Sequence, residues 1–285
     1  MTMNTDFRVA VVNYSGNTGK TTVSRVLLKM RMPDAEIISI EGANADGLED
    51  KNGQIVRATK FKQIHQALMY SPSVILDIGS TSLEETMHLI SQMSGSHDDI
   101  DYFVVPVTQD VKIRRDSIKT VHELLKVGVP PQKIKVVFNK VGLTESVEDV
   151  FDVLIHALKK LGVPYDIKNT IYSNGFYPDF ENTGMGIEDF KDKIMSVSVE
   201  DNKKRMNELR RNRNRTELEN EEFTELMNTL QTQQLAISTA IELDAVFKNL
   251  FKDEIINDEP VVNDNDVELK EAIEKLDTNS KKSKG

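Results

Sequence analysis

Five short runs of apolar, mostly β-branched residues mark the first half of the chain, at 8–13, 36–41, 73–78, 102–107 and 133–139. Within them the apolar residues are nearly continuous, as in Val9-Ala10-Val11-Val12 and Val74-Ile75-Leu76. A strand with one wet face alternates; a strand covered on both faces does not, and such strands belong to parallel sheets flanked by helices. The intervening segments have helical spacing. Val23, Val26, Leu27 and Met30 share a face in 20–32, and Val150, Phe151, Leu154, Ile155 and Leu158 share one in 147–161. Segments 83–93 and 113–127 follow the same period. A sixth short strand is expected within 166–172, and the Gly-, Asn- and Pro-containing stretch 173–186 reads as a loop. This alternation predicts an α/β fold with a doubly wound, mostly parallel sheet.

After about residue 198 the pattern changes. Lys203, Lys204, Arg205, Arg210, Arg211, Arg213 and Arg215 fall within thirteen positions that hold one acid, Glu208. Helical periodicity then runs through Phe223, Leu226, Leu230, Ile237, Ile241, Phe247 and Phe251, as one long helix or a helical hairpin. From Ile256 the chain is acidic and polar, a composition that buries too little apolar area to offset ordering entropy. A short helix at 268–276 is compatible with it. Three regions are therefore expected: a nucleotide-binding domain at 1–198, a helical C-terminal appendage at 199–255 and a largely disordered tail at 256–285.

The charge balance, 46 acidic against 36 basic residues, argues against a surface that coats nucleic acid as a whole, and leaves room for a local basic patch. The absence of cysteine removes disulfides, thiolate metal sites and cysteine nucleophiles. Residues 1–8 lack a signal-peptide core, and no apolar run reaches the roughly 18 residues of an integral membrane segment, so a cytoplasmic location is expected. The five histidines show no metal-ligand spacing.

The first strand runs directly into Tyr14-Ser15-Gly16-Asn17-Thr18-Gly19-Lys20-Thr21-Thr22, and a helix follows at once. This is the setting of a phosphate-binding loop. Gly16 and Gly19 let the backbone curl so that amides point inward, and the helix N-terminus adds partial positive charge. Lys20 is expected to bridge the β- and γ-phosphates of ATP, Thr21 to ligate Mg²⁺ and Thr22 to reach the α-phosphate. The common pattern places a glycine six positions before the lysine; Tyr14 stands there, so the loop is a variant. Asp77 closes an apolar strand and is the expected Mg²⁺ partner. Ser15, Glu41, Asp77, Thr108 and Asn139 all fall at predicted strand ends, the edge where open parallel sheets bind ligands. Ser80, Thr81 and Ser82 either touch the γ-phosphate or cap the next helix, with Ser82 and Glu85 spaced as a capping box.

These residues resemble the ParA/MinD class of deviant P-loop ATPases, whose loop K-G-G-x-G-K-[ST] overlays 15–21. They resemble in particular the StbB-type plasmid stability and transfer proteins, with their N-[FY]-S-G-N-x-G-K-T-T loop. The resemblance covers roughly residues 6–195. It implies a nucleotide-dependent homodimer acting on plasmid or cargo position, with a DNA-binding adaptor as partner. Ser15 stands where the family's cross-dimer lysine belongs, so slow hydrolysis or another cation is expected. Glu41 takes the place of the family's second-strand aspartate, either orienting the attacking water or only closing the strand. Asn139 takes the place where the family reads adenine, or it caps a turn. Asn139-Lys140-Val141-Gly142 lacks the carboxylate of the guanine-reading N-K-x-D, which favours ATP over GTP.

Three functions follow from these residues. One is an ATPase switch in plasmid or DNA segregation, positioning or conjugative transfer. The second is a metabolic ligase or kinase of the same fold. The third is a non-hydrolysing scaffold with nucleotide as a pin. The basic stretch either contacts DNA non-specifically or is a solvated face.

Overall fold

A computed structural model describes residues 2–42, 54–93, 95–183 and 186–256. The chain divides into two compact units. In the smaller, β1 (Thr2–Met3) pairs antiparallel with β9 (Ile255–Ile256). The tail expected to be disordered, and the helix expected at 268–276, lie outside the described residues.

The larger unit, residues 5–252, is built on seven strands. These are β2 (Arg8–Val11), β3 (Glu36–Glu41), β4 (Gln54–Arg57), β5 (Val74–Ile78), β6 (Tyr102–Val107), β7 (Ile134–Val141) and β8 (Thr170–Tyr172). All pair in parallel, in the order β4-β3-β5-β2-β6-β7-β8. The chain leaves β2 towards β3 and later crosses back to β6, so the winding reverses beside β2. Ligands bind at the carboxyl ends of such a reversal point. Every residue of β5 and all but the first of β6 are buried, which is why those runs do not alternate.

The helices are α1 (Lys20–Thr22), continuing as wider π-type turns over Val23–Lys29, then α2 (Phe61–Tyr70), α3 (Leu83–Gln92), α4 (Val111–Lys126), α5 (Val147–Val150), α6 (Asp152–Leu161), α7 (Phe176–Thr183), α8 (Ile187–Phe190), α9 (Val199–Arg211) and α10 (Glu217–Leu250). The core joins α2, α3, α4 and α6 to the strands through residues such as Leu68, Leu83, Leu124 and Leu154. α10 is one continuous helix, started by a reciprocal capping box between Thr216 and Glu219. It packs on β8, on α7 and on Val23–Lys29, and its end is seated by Phe247 and Phe251 against Phe7 and Tyr102.

The structure departs from sequence expectation in two places. The supposed loop at 173–186 contains α7. Phe176 and Phe180, one turn apart, stack together and both meet Phe190 edge-on, and Pro178 sits in the first turn, where its missing N–H costs nothing. The single helix expected over 147–161 breaks at Phe151, which leaves helical geometry and packs its ring on Phe138. Of the two roles open to Ser80, Thr81 and Ser82, the capping box between Ser82 and Glu85 does not form. The Ser82 side chain makes no cap, and Ser82 Oγ has no hydrogen-bond partner among the described residues.

Candidate functional site

The loop between β2 and α1 is held open from both ends. At its start Asn13, fully buried, donates from Nδ2 to the Pro106 carbonyl (2.9 Å) and Ser117 Oγ (2.7 Å), and its Oδ1 accepts from the Ser15 amide (2.8 Å). Tyr14 fits where a glycine is usual because its side chain turns to α4. Its amide donates to Thr120 Oγ1 (3.1 Å), and Lys119 Nζ lies 4.3 Å above its ring centroid. Asn17 (φ 56°) and Gly19 (φ 82°) both take the left-handed conformation that curls the loop. Helix α1 starts directly after Gly19, whose carbonyl accepts from the Val23 amide (2.8 Å).

Lys20 is buried at 8% exposure and folds back over the loop, donating to the carbonyls of Ser15 (2.7 Å) and Asn13 (3.3 Å). Burial pulls its pKa down, opposed by the charges of Asp77 and Glu41. Asp77, near the carboxyl end of β5, is also buried. Desolvation raises its pKa, against a hydrogen bond from the Thr21 hydroxyl and the charges of Arg25 and Lys20. The Glu41 carboxylate, at the end of β3, lies against Gly79, where a Cβ would come within 2.7 Å of Oε2. Lys20, Thr21, Asp77 and Glu41 are thus brought together at the reversal point beside β2.

Arg25 is a member of this group that the sequence reading did not single out. It stands one helical turn after Thr21, on the stretch packed against β5, and its charge acts on Asp77. The signal available in the sequence was an arginine four residues past Thr21, directly before the apolar run Val26-Leu27-Leu28.

On the other side, Asn139 is buried at the end of β7. Its Nδ2 donates to the Thr18 carbonyl (2.8 Å) and its Oδ1 accepts from the Lys140 amide (3.0 Å). Next to it lies a cavity of about 300 Å³ lined by Thr22, Asn139, Lys140, Tyr172, Asn174, Tyr177 and Glu181, among others. Its outer wall is braced by α10. Glu242 accepts from the Tyr172 amide (2.9 Å), and Asn174 donates to Thr239 Oγ1 (3.1 Å). Arg31, at the end of the α1 segment, reaches the Ala240 carbonyl (2.8 Å) and Asp244 (2.7 Å) on the same helix.

A strand, a curled loop with a buried lysine, and a helix opening on Thr21 opposite a strand-end aspartate together decide the fold. The chain has a P-loop nucleoside triphosphatase fold. No family model matches the chain, and no curated protein does. Among solved structures it is similar to the MinC:MinD cell division protein complex of Aquifex aeolicus, at 15% identity over 84% of this chain and 95% of that one, with a TM-score of 0.46. It is similar to the septum site-determining protein MinD with Mg-ADP of Pyrococcus horikoshii, at 12% identity over 66% and 89%, with a TM-score of 0.43. A third similarity is to a putative plasmid partition protein of Borrelia burgdorferi bound to AMPPNP, at 13% identity over 60% and 89%, with a TM-score of 0.40. At these levels of identity no residue role is transferred, and the site rests on this chain's own geometry.

The donor set around Asp77 suits a hard divalent cation. The Thr21 hydroxyl lies close enough to Asp77 to favour its charged form, and a hydroxyl beside a carboxylate at the end of a curled loop is a set of oxygen ligands that fits Mg²⁺. Among the described residues no group of three or more His, Asp or Glu is placed to cage a metal.

Of the basic stretch, Arg205 is committed to Glu222 (2.7 and 2.8 Å), and Arg215 donates to the Leu209 carbonyl and lies over the Phe223 ring. Lys203, Lys204, Arg210, Arg211 and Arg213 are exposed on α9 and just beyond it. No helix among the described residues is long and apolar enough to cross a membrane.

Proposed function

We propose that the chain binds ATP with Mg²⁺ at residues 15–22, hydrolyses it slowly, and uses the nucleotide state to control self-association in the cytoplasm. The observation that carries this reading is the meeting of Lys20, Thr21 and Asp77 at the reversal point of a parallel sheet. Lys20 would leave the carbonyls of Asn13 and Ser15 for the β- and γ-phosphates, exchanging neutral acceptors for charged ones, which form stronger hydrogen bonds. Thr21 and Asp77 would hold Mg²⁺, which when bound neutralises charge on the phosphates. Glu41 is the candidate to orient water. The cavity beside Thr22 and Lys140 would take the nucleoside.

The StbB-like loop supports a finer reading, a switch in plasmid or DNA segregation, positioning or conjugative transfer, with an adaptor protein as partner. The exposed cations of α9 support non-specific DNA contact by the helical region. Ser15, which carries no charge, favours a second reading in which nucleotide is held without turnover. Light scattering after size exclusion, in nucleotide-free, ADP and non-hydrolysable ATP conditions, tests the switch. An ATP-specific dimer is expected, and an unchanging monomer refutes it. Phosphate release, measured with and without DNA, separates turnover from a static pin.

A further inference from the structure

We infer that Asn139 is a positioning residue for the phosphate loop, holding Thr18 and Gly19 in their binding shape, and that it does not read the base. The inference rests on the nucleotide reading above and concerns this one side chain. Both polar ends of Asn139 are already used. Nδ2 donates to the Thr18 carbonyl at 2.8 Å and Oδ1 accepts from the Lys140 amide at 3.0 Å. Nδ2 keeps a second N–H and Oδ1 a second lone pair, but at 4% exposure and with one hydrogen bond at each end committed to the backbone, little of the side chain is open to a purine edge.

The backbone on both sides is bent to make this contact. On the loop side, Gly19 has φ 82°, and a Cβ there would collide with Asn139 Nδ2. On the strand side, β7 slips register between Asn139 and Val141, and Lys140 takes φ 59°, uncommon for a residue with a side chain. The slip aims Asn139 inward at the loop and leaves Lys140 on the wall of the neighbouring cavity. Strained backbone of this kind is kept where surrounding structure over-determines it, often at a functional site. Here it ties the end of β7 to a carbonyl 121 residues earlier, next to the curl that turns the loop amides.

The consequence is a specific pattern of affinities. Loosening the loop weakens every ligand that uses the phosphate cradle, with or without a base. Losing a base reader changes the ratio between bases and spares a ligand that has none. The experiment is calorimetric titration of ATP, GTP and inorganic tripolyphosphate, each with Mg²⁺, into the full chain and into Asn139→Ala. Asn139→Leu, of similar volume, is measured in parallel, with a thermal melt of each protein, so that a folding defect in one variant does not stop the test. We expect both variants to lose affinity for all three ligands by a similar factor, roughly tenfold, with the ATP to GTP ratio unchanged. Unchanged tripolyphosphate affinity with a shifted ATP to GTP ratio overturns the inference, as does no change for any ligand. If the unaltered chain binds none of the three, the nucleotide reading itself fails. In the double variant Gly19→Ala with Asn139→Ala, removal of the amide relieves the collision, so the combined loss of affinity is smaller than the product of the two single losses.

Discussion

The phosphate loop is gripped differently on its two sides. Towards β5 and β3 the neighbours are charged: Lys20 and Arg25 face Asp77 and Glu41. Towards β7 the direct hold on the loop is neutral, although Lys140, Glu181 and Glu242 carry charge on the cavity wall beyond it. An asparagine amide holds Thr18, and backbone and side-chain hydrogen bonds build the cavity wall. The difference follows from what each side meets. A buried charge is costly unless compensated; on the β5 side the opposite charges compensate one another, and in the proposed reading phosphates and a divalent cation would add to that compensation. On the β7 side a neutral contact fixes the loop without a standing desolvation cost.

The largest effect is expected at Lys20. Lys20→Ala removes the cation that donates to the loop's own carbonyls, and ATP affinity should fall at least roughly a hundredfold, since charge-assisted bonds to phosphate are the strong ones. The same change should raise the melting temperature, because the folded state holds this lysine desolvated with its pKa lowered. A lysine so shifted destabilises the fold while it is charged in both states. The gain from its removal should therefore be full below the lowered folded pKa and fade as pH rises from there towards the ordinary value of 10.5. Loss of binding without a gain in melting temperature would mean that Lys20 is less strained than its burial implies.

Arg25→Ala comes next and sharpens the comparison. If Arg25 is a resident counter-charge for Asp77, its removal leaves that carboxylate facing the phosphates with less compensation. ATP affinity in EDTA should drop roughly fivefold, while affinity with saturating Mg²⁺ changes little, because the added cation substitutes for the lost one. Equal losses in both conditions would show that Arg25 acts through packing.

How much of this was legible in the sequence depended on the distance between partners. The strand runs, Lys20 and Asp77 could be read because each is signalled by residues within a few positions. β4 was not assigned, because Gln54-Ile55-Val56-Arg57 is a short edge strand with only two apolar residues. The partner of Asn139 lies 121 positions away, so no local pattern announced it, and the sequence offered either a base reader or a turn cap. Helix α7 was hidden behind the Gly, Asn and Pro around it, although its aromatics keep helical spacing. With α7 unread, Tyr177 and Glu181 gave no sign that they line a cavity.

Asp77→Asn separates function from stability. Mg²⁺-dependent binding should weaken, yet the variant should melt a few degrees higher at pH 7. Burial raises the folded pKa of Asp77 above its ordinary 3.8, so the folded protein binds this proton more tightly than the unfolded chain. That contribution to stability is present below pH 3.8 and is lost as pH rises through the folded value. The advantage of the asparagine should therefore vanish in acid, and melting curves at pH 3 and pH 7 decide it.

The smallest effect is expected at Glu242, which braces the cavity from α10. Its carboxylate is only part-buried, with its pKa raised by that burial against the bond from the Tyr172 amide. Glu242→Gln keeps an acceptor for that amide and removes the charge. If the β7 side needs only neutral contacts, ATP affinity should stay within about twofold and the melting temperature should rise slightly or not at all, since solvent screens part of the charge. Glu242→Ala removes the acceptor itself and should lower stability by about 1 kcal/mol. A loss of affinity well beyond twofold in the glutamine variant, which keeps the acceptor and lacks only the charge, would show that charge matters on this side too, and that the division between a charged and a neutral grip does not hold.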